Sequence, residues 1–352
     1  MIKLGVIFGG QSTEHSVSIV SGSSVIKNLD DKKYEIHQIY IDKAGKWYEN
    51  FDDIKTNGIY KIGEEPINIK PIENAVEYLK ELDCVFPVLH GLYGEDGTIQ
   101  GMLELLKIPY VGCKVLSSSV SMDKAYTKAI LNQAEIPQTK YIYLKKEEGK
   151  YIYVDSKFNE KEVSADEIVE LVYNKLKYPV FVKPSNSGSS VGVVKVESAT
   201  DLIRSIESAF FYDKKVLIEQ GIIGREIELA VLGNTKITVS DPGEILAAGT
   251  FYSFDSKYQN SKSKTVISDK LLDANTKDKL KELAVKVFKA VDGSGLARVD
   301  FFVEKETNKI YVNEINTMPG FTEISMYPKL MENIGIKYSE LLDNLIELAL
   351  EK

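Results

Sequence analysis

Near the end of the chain, VNEINTMPG (312–320) sets Glu314 and Asn316 two positions apart in a stretch, KIYVNEI, that otherwise reads as a buried strand. Side chains two apart on a strand share a face, so a carboxylate and an amide oxygen point the same way. An unpaired buried carboxylate is costly, and the usual remedies are a cation or a basic partner. A second strand-like segment, LARVDFFV, carries Arg298 and Asp300, and the hairpin-like EKETNK joins the two. Antiparallel pairing about that turn brings Asp300 beside Glu314 and Asn316. Three such oxygens suit Mg²⁺, which keeps waters and takes further oxygens from substrate phosphates. A buried ion pair of Arg298 with Asp300 or Glu314 is the alternative that the same spacing allows.

Upstream, PVFVKPSNSGSSVGV ends an apolar strand in Lys183 and continues with Asn, Ser and Gly. Small residues let backbone N–H groups approach an anion, and a lysine adds a point charge. The stretch reads as a phosphate loop, with a hairpin and exposed lysine as the alternative. It is not a Walker A loop, because that spacing and the following helix are absent. KVLIEQGIIGREIELAVL puts Glu219 at a strand end and Glu226 after a short turn. Their oxygens can accept from ribose hydroxyls or an adenine amino group, or can simply be solvated. In HGLYGEDGTIQG, His90 ends an apolar strand, where a histidine is as readily a cap or core hydrogen-bonder as a catalytic group. GGQSTEHS reads as a strand-to-helix turn, and its spacing fails G-x-G-x-x-G, which gives a dinucleotide site little support.

The elements that must hold these residues follow from periodicity. LGVIF, YEIHQIYI and CVFPVLH read as strands, with HSVSIVSGSSVIKNL and TIQGMLELLKI as helices. That alternation predicts a doubly wound parallel sheet over roughly the first 120 residues. Ligands bind beyond the carboxyl ends of such strands, where Gly9–Ser12 and His90–Gly91 sit. The helix MDKAYTKAILNQAEI, stopped by Pro137, opens a second unit. KKEEGKYIYVDSKFNEKE reads as a surface excursion or hairpin without chemistry. PVFVKP, GVVKV, KVLIEQ and REIELAVLG read as strands, with the helix DLIRSIESAF between the second and third. A polar loop, YSFDSKYQNSKSK, precedes the helix DANTKDKLKELAVKVFKAV, and the amphipathic YSELLDNLIELALEK comes last.

Composition narrows the class. Of 352 residues, 43% are hydrophobic and 27% charged, as in ordinary globular proteins. The net charge is −8 and no basic cluster is dense enough for a nucleic-acid surface. Apolar runs are too short to span a bilayer. MIKLGVIFGG reads as a first strand rather than a signal peptide. Cys84 and Cys113 sit among apolar residues as small hydrophobes, and a reducing cytoplasm fits.

Taken together, GGQSTEHSVS, HGLYGEDGTIQG, SMDK, VFVKPSNSGSSVGV, Glu219 with Glu226, SKY, ARVDFF and NEINTMPGFTEISMYP resemble the D-alanine–D-alanine ligase family of ATP-grasp enzymes. The resemblance runs over essentially the whole chain. It implies an N-terminal α/β substrate domain (1–122), then a two-part ATP-grasp fold: a central subdomain (123–220) and a C-terminal one (221–352). It implies that Lys124, Lys183 and Lys257 contact ATP phosphates while Ser189 and its loop close over them. Glu219, the Ile222 backbone and Glu226 would hold adenine and ribose. Asp300, Glu314 and Asn316 would hold two Mg²⁺, with Mn²⁺ able to substitute. Glu14 would pair with the first D-alanine's ammonium and His90 would lie near the substrates. Arg298 and the Gly320 N–H would face the oxyanion. Ser325 and Met326 would line the second amino-acid site, which Tyr258 would close from a mobile loop. A homodimer is implied as well. Ser16 departs from the glutamate that relatives often carry, and residues 145–163 make a longer stretch than usual.

The implied reaction converts a D-alanine carboxylate to an acyl phosphate, which the amine of a second D-alanine attacks. Within the family, tyrosine at the position of Tyr258 goes with an amine nucleophile, against D-lactate. An apolar Met326 suits a methyl group, where relatives that add D-serine tend to carry arginine. A D-serine or D-lactate ligase, a carboxylase making carboxyphosphate and a silent nucleotide-binding regulator are the competing readings. The carboxylase leaves Glu14 and SMYP without a role, and the regulator is expected to have lost Arg298 or a metal oxygen.

Overall fold

The computed structural model describes residues 1–246, 264–267 and 272–351. Their strands form three sheets. The first contains β1 (Ile2–Gly9), β2 (Tyr34–Ile41), β3 (Trp47–Asn50), β4 (Ile69–Pro71) and β5 (Cys84–Pro87), ordered β4-β3-β2-β1-β5. β1 runs parallel to both β2 and β5, as its apolar run predicts. β3 and β4 add an antiparallel edge that the sequence reading did not contain. Leu4, Val6 and Phe8 face one core and Ile7 the other, so helices cover both sides. These helices include α1 (His15–Asn28), α2 (Ile54–Asn57), α3 (Ala75–Lys80) and α4 (Thr98–Leu106). Strand order reverses between β1 and β5, which opens a crevice at their carboxyl ends. Ser18 ties the two ends: its Oγ accepts from the Gly9 N–H (2.8 Å) and donates to the Val88 carbonyl (2.5 Å).

Two short helices, α5 (Val115–Met122) and α6 (Lys124–Gln133), lead to the second sheet. The helix expected from Met122 starts instead at Lys124, because the Asp123 carboxylate caps it and accepts from the Ala125 and Tyr126 N–H groups (3.1 and 3.4 Å). β6 (Tyr141–Glu147), β7 (Lys150–Val154), β8 (Glu160–Val163), β9 (Val180–Pro184), β10 (Val194–Val196) and β11 (Lys215–Gln220) then form an antiparallel sheet, ordered β10-β9-β11-β6-β7-β8. The polar excursion is thus the β6-β7-β8 meander. α7 (Ala165–Lys175) and α8 (Leu202–Phe210) cover one face with Ile168, Val172, Leu202 and Ile206.

The third sheet contains β12 (Gly224–Gly233), β13 (Thr238–Val239), β14 (Gly243–Leu246), β15 (Lys264–Ile267), β16 (Gly295–Glu304) and β17 (Ile310–Asn316). Its main order is β15-β14-β12-β16-β17, and β13 pairs with β12. α9 (Ala274–Ala290) packs Leu280, Ala284, Val287 and Phe288 on one face. α10 (Met326–Asn333) and α11 (Tyr338–Leu350) complete the described chain. The stripe Leu341, Leu342, Leu345 and Ile346 on α11 fills the same core as Leu4, Phe8 and Ile26. That shared core presses the segment after β17 against the crevice of the first sheet.

Candidate active site

A cavity of about 550 Å³ lies where the three sheets meet. It is bordered by the β1 and β5 ends, the Ser-Gly loop after β9, the β11–β12 turn, β16–β17 and the start of α10.

Glu14 stands at the N-terminus of α1 and is buried. Its Oε1 accepts from the Ser189 hydroxyl, a contact between the first sheet's crevice and the phosphate loop. Glycines make room for it: a Cβ on Gly91 or Gly188 would come within 2.7 or 2.6 Å of Glu14 Oε2. Ser189 and Ser190 have φ of +47° and +61°, the left-handed backbone that lets successive N–H groups form an anion nest. The loop's base is pinned to α6, since Ser185 Oγ donates to Asp123 (2.6 Å) and accepts from the Ala125 N–H (3.0 Å). Lys124, first in α6, therefore reaches the loop, where its Nζ donates to the Ser187 carbonyl (2.7 Å).

His90 borders the cavity, but both ring nitrogens are engaged by protein. Nδ1 lies 3.0 Å from the Met318 carbonyl, so it carries the proton, and Nε2 accepts from Ser21 Oγ at 2.9 Å. Ser21 Oγ in turn accepts from the Phe321 N–H (3.3 Å). Burial pulls the imidazole below its ordinary value despite Glu14 and the Met318 carbonyl, which keeps it neutral. His90 thus grips the 318–321 turn that carries Gly320. Ser325 Oγ accepts from the Thr322 N–H (3.0 Å), and Met326 is buried at the start of α10. Gly320, Ser325 and Met326 all border the cavity.

β16 and β17 pair antiparallel, with Asp300 opposite Glu314 and Arg298 opposite Asn316. This is the juxtaposition that the strand spacing predicts. Arg298 grips Asp300 through Nε and Nη2, both at 2.7 Å, and its Nε lies 3.2 Å from Glu228. Burial alone would lower the guanidinium, but Asp300 and Glu228 outweigh it and hold it well above its ordinary value. Asn316 Nδ2 donates to Asp300 (3.1 Å). Both readings of the sequence are therefore on one face, the ion pair and the oxygen cluster. Glu314 and Asn316 border the cavity and offer hard oxygens, which fit Mg²⁺. Asp300 stands beside them in the grip of Arg298, and its oxygens have further lone pairs with which to take part. Among the described residues no three His, Cys, Asp or Glu side chains form a ready cation cage.

At the other end, Glu219 is buried and its Oε2 accepts from Thr139 (2.9 Å) and Lys183 (3.3 Å). Lys183 also lies 3.4 Å from Asn313 Oδ1. Burial pushes the Glu219 carboxyl up, but Lys128 and Lys183 overcome this and bring it down to about 2. Ile222 and half-buried Glu226 border the same end. Lys257 and Tyr258 lie outside the described residues.

Residues 3–113 match the family model described as D-ala D-ala ligase N-terminus, and residues 130–347 match D-ala D-ala ligase C-terminus. The chain belongs to the D-alanine–D-alanine ligase family. The D-alanine–D-alanine ligase of Caldicellulosiruptor bescii is 47% identical over 362 residues, covering 100% of this chain and 96% of the relative. D-alanine–D-alanine ligase B of Clostridium tetani is 49% identical over 351 residues, covering 99% and 94%. Among solved structures, the VanG D-Ala:D-Ser ligase from Enterococcus faecalis matches with a TM-score of 0.83 and 36% identity over 99% of both chains. The D-alanine–D-alanine ligase from Bacillus anthracis complexed with ATP matches at 0.75 and 32%, covering 100% of this chain and 98% of that one. The fold is the expected ATP-grasp arrangement behind an N-terminal α/β unit.

Sequence reasoning missed four members of the site. Glu95 follows His90 in the GED triplet and accepts from the Gly91 N–H (3.0 Å). Burial and the nearby Glu14 push its carboxyl up to about 8. Glu228 was legible as the alternate residue after Glu226 on one strand. Asn313 enters through a register shift beside Asp300, which no periodicity signals. Lys128 lies one helical turn beyond Lys124, and a lysine four residues on in a helix carries no sequence signal of burial.

Proposed function

We propose that the protein is an ATP-dependent ligase that joins two D-alanines into D-alanyl-D-alanine through an acyl phosphate, for peptidoglycan precursor synthesis. The observation that carries this reading is the Glu14–Ser189 contact inside one cavity. An ammonium held at Glu14 would set its own carboxylate against the phosphate loop. The curated relatives' names support it, and the ATP complex of a structural relative supports the nucleotide.

A carboxylate oxygen of the first D-alanine attacks the γ-phosphorus, the bond to the β–γ bridging oxygen breaks, and ADP leaves. Lys124 and Lys183, with Lys257, offset the charge between carboxylate and triphosphate. Glu219, the Ile222 backbone and Glu226 hold adenine and ribose. The neutral amine of the second D-alanine attacks the acyl carbon. The resulting oxyanion meets the Gly320 N–H and Arg298, whose Nη1 lies outside the edge that grips Asp300. Collapse expels phosphate. His90 serves by fixing the turn that carries Gly320, Ser325 and Met326 line the second amino-acid site, and Tyr258 closes it. Asp300, Glu314 and Asn316 would hold two Mg²⁺ or Mn²⁺, which when bound supply further charge neutralisation.

We assign the three units 1–122, 123–220 and 221–352, a cytoplasmic location and a homodimer to this reading. No described helix is long and apolar enough to cross a membrane. The likeness to the VanG D-Ala:D-Ser ligase favours a second reading, D-serine as the second substrate. Met326, buried at that site, argues for the methyl group. An apolar pocket discriminates against a hydroxyl by only about 100-fold. Competition of D-alanine, D-serine and D-lactate at equal concentration, with products separated by mass, is expected to yield mostly D-alanyl-D-alanine. A majority of either other product overturns the specificity, and ATP cleavage indifferent to D-alanine overturns the ligase.

A further inference from the structure

Lys128 is 2% exposed and does not border the cavity. Its Nζ donates to Thr139 Oγ1 (3.0 Å) and lies 3.5 Å from Glu219 Oε2. A lysine ammonium can only donate, so Thr139 Oγ1 accepts from it and spends its own proton on Glu219 Oε2 (2.9 Å). Lys183 reaches the same oxygen at 3.3 Å. Every partner of Glu219 among the described residues thus crowds Oε2, which leaves Oε1 for the cavity that Glu219 borders. Phe181, the strand neighbour of Glu219, and Ile222 supply apolar walls beside it.

We propose that Lys128, acting with Thr139, makes Glu219 an obligate hydrogen-bond acceptor and thereby selects a nucleobase bearing an exocyclic amino group over one bearing a carbonyl there. The inference rests on reading this cavity as an ATP site. A base with a carbonyl at that position would set lone pair against lone pair at a buried carboxylate, and Glu219 would have no donor to offer it. Lys128 and Thr139 touch no ligand in this arrangement. They are positioning residues, because they fix the charge and the orientation of the oxygen that does.

The test is direct binding of ATP and inosine triphosphate, which carries a carbonyl in place of adenine's amino group, by calorimetry without D-alanine. The full-length protein is compared with Lys128→Met and Thr139→Val. Wild type is expected to favour ATP by about 100-fold or more. Lys128→Met is expected to weaken ATP at least about 10-fold and to shrink the ATP-to-inosine ratio by a similar factor, while Thr139→Val moves both the same way but less. In turnover, the loss should appear in KM for ATP before kcat. Both nucleotides weakening alike, with an unchanged ratio, overturns the role of Lys128. If circular dichroism shows Lys128→Met unfolded, Thr139→Val decides alone. Wild type that binds no ATP would sink the nucleotide reading as well, an outcome separable from an unchanged ratio.

Discussion

Glu219 and Glu95 border one cavity, and their environments push them in opposite directions. Lys128 and Lys183 bring Glu219 down to about 2 even though it is buried. Among the described residues Glu95 has no lysine or arginine at comparable range; burial and Glu14 raise it to about 8, against weaker opposing pulls from the Gly91 N–H and Arg298. Asp300 and Glu228 already engage that guanidinium. The difference shows that burial alone does not set a carboxyl's state. The donors each element brings decide it: α6 and β9 carry lysines to one end, whereas the loop after β5 brings the Gly91 N–H and the neutral His90 to the other. On the proposed reading, the end assigned to the nucleotide is thereby built to accept, and the end assigned to the amino acids carries a carboxyl raised to about 8.

Arg298→Ala breaks the contrast most severely. Turnover should fall by roughly 10²–10³ through loss of an oxyanion donor, while calorimetric affinity for ATP changes much less. A loss confined to ATP binding would move Arg298 to the nucleotide end. The substitution also leaves Asp300 and Glu228 buried without their guanidinium, so a lower unfolding temperature is expected alongside.

Glu95→Gln sharpens the contrast with a smaller effect. The folded protein holds the Glu95 proton between the ordinary 4.5 and about 8, whereas the unfolded chain releases it. Stability from this group is therefore present below the ordinary value and lost as pH rises through that window, at no more than about 1.4 kcal/mol per pH unit. Glu95→Gln lacks this slope. Its unfolding temperature should rise relative to wild type between pH 5.5 and 8.5, and parallel pH profiles would show that Glu95 titrates normally.

Much of this arrangement was legible before the structure. The strand-like runs gave β1, β2, β5, β9, β10, β11, β12, β16 and β17, and hairpin pairing alone brought Asp300 opposite Glu314. β3 and β4 escaped because WYEN and IKP, at four and three residues, are too short to show a periodicity. α7 was available in principle, since Ser164 and Glu167 form a capping box. α10 was hidden by Pro328, which sits in the first turn where no intrahelical N–H is required. What could not be read was docking between elements. That α6 lies against β11, aiming Lys128 at Glu219, depends on a helix packed on a sheet from distant sequence. The occupation of both His90 nitrogens depends likewise on α11 pressing the 318–321 turn into the first sheet's crevice.

The central claim is that an acyl phosphate links the two ends of the cavity, and the fate of the carboxylate oxygens tests it most directly. D-alanine labelled with ¹⁸O in its carboxylate is turned over with ATP, and the inorganic phosphate released is analysed by mass. When the carboxylate attacks the γ-phosphorus and the amine later displaces phosphate, one labelled oxygen must leave with the phosphate for each peptide bond formed. One ¹⁸O per phosphate is the predicted result; unlabelled phosphate, or label carried off in AMP, would contradict the account.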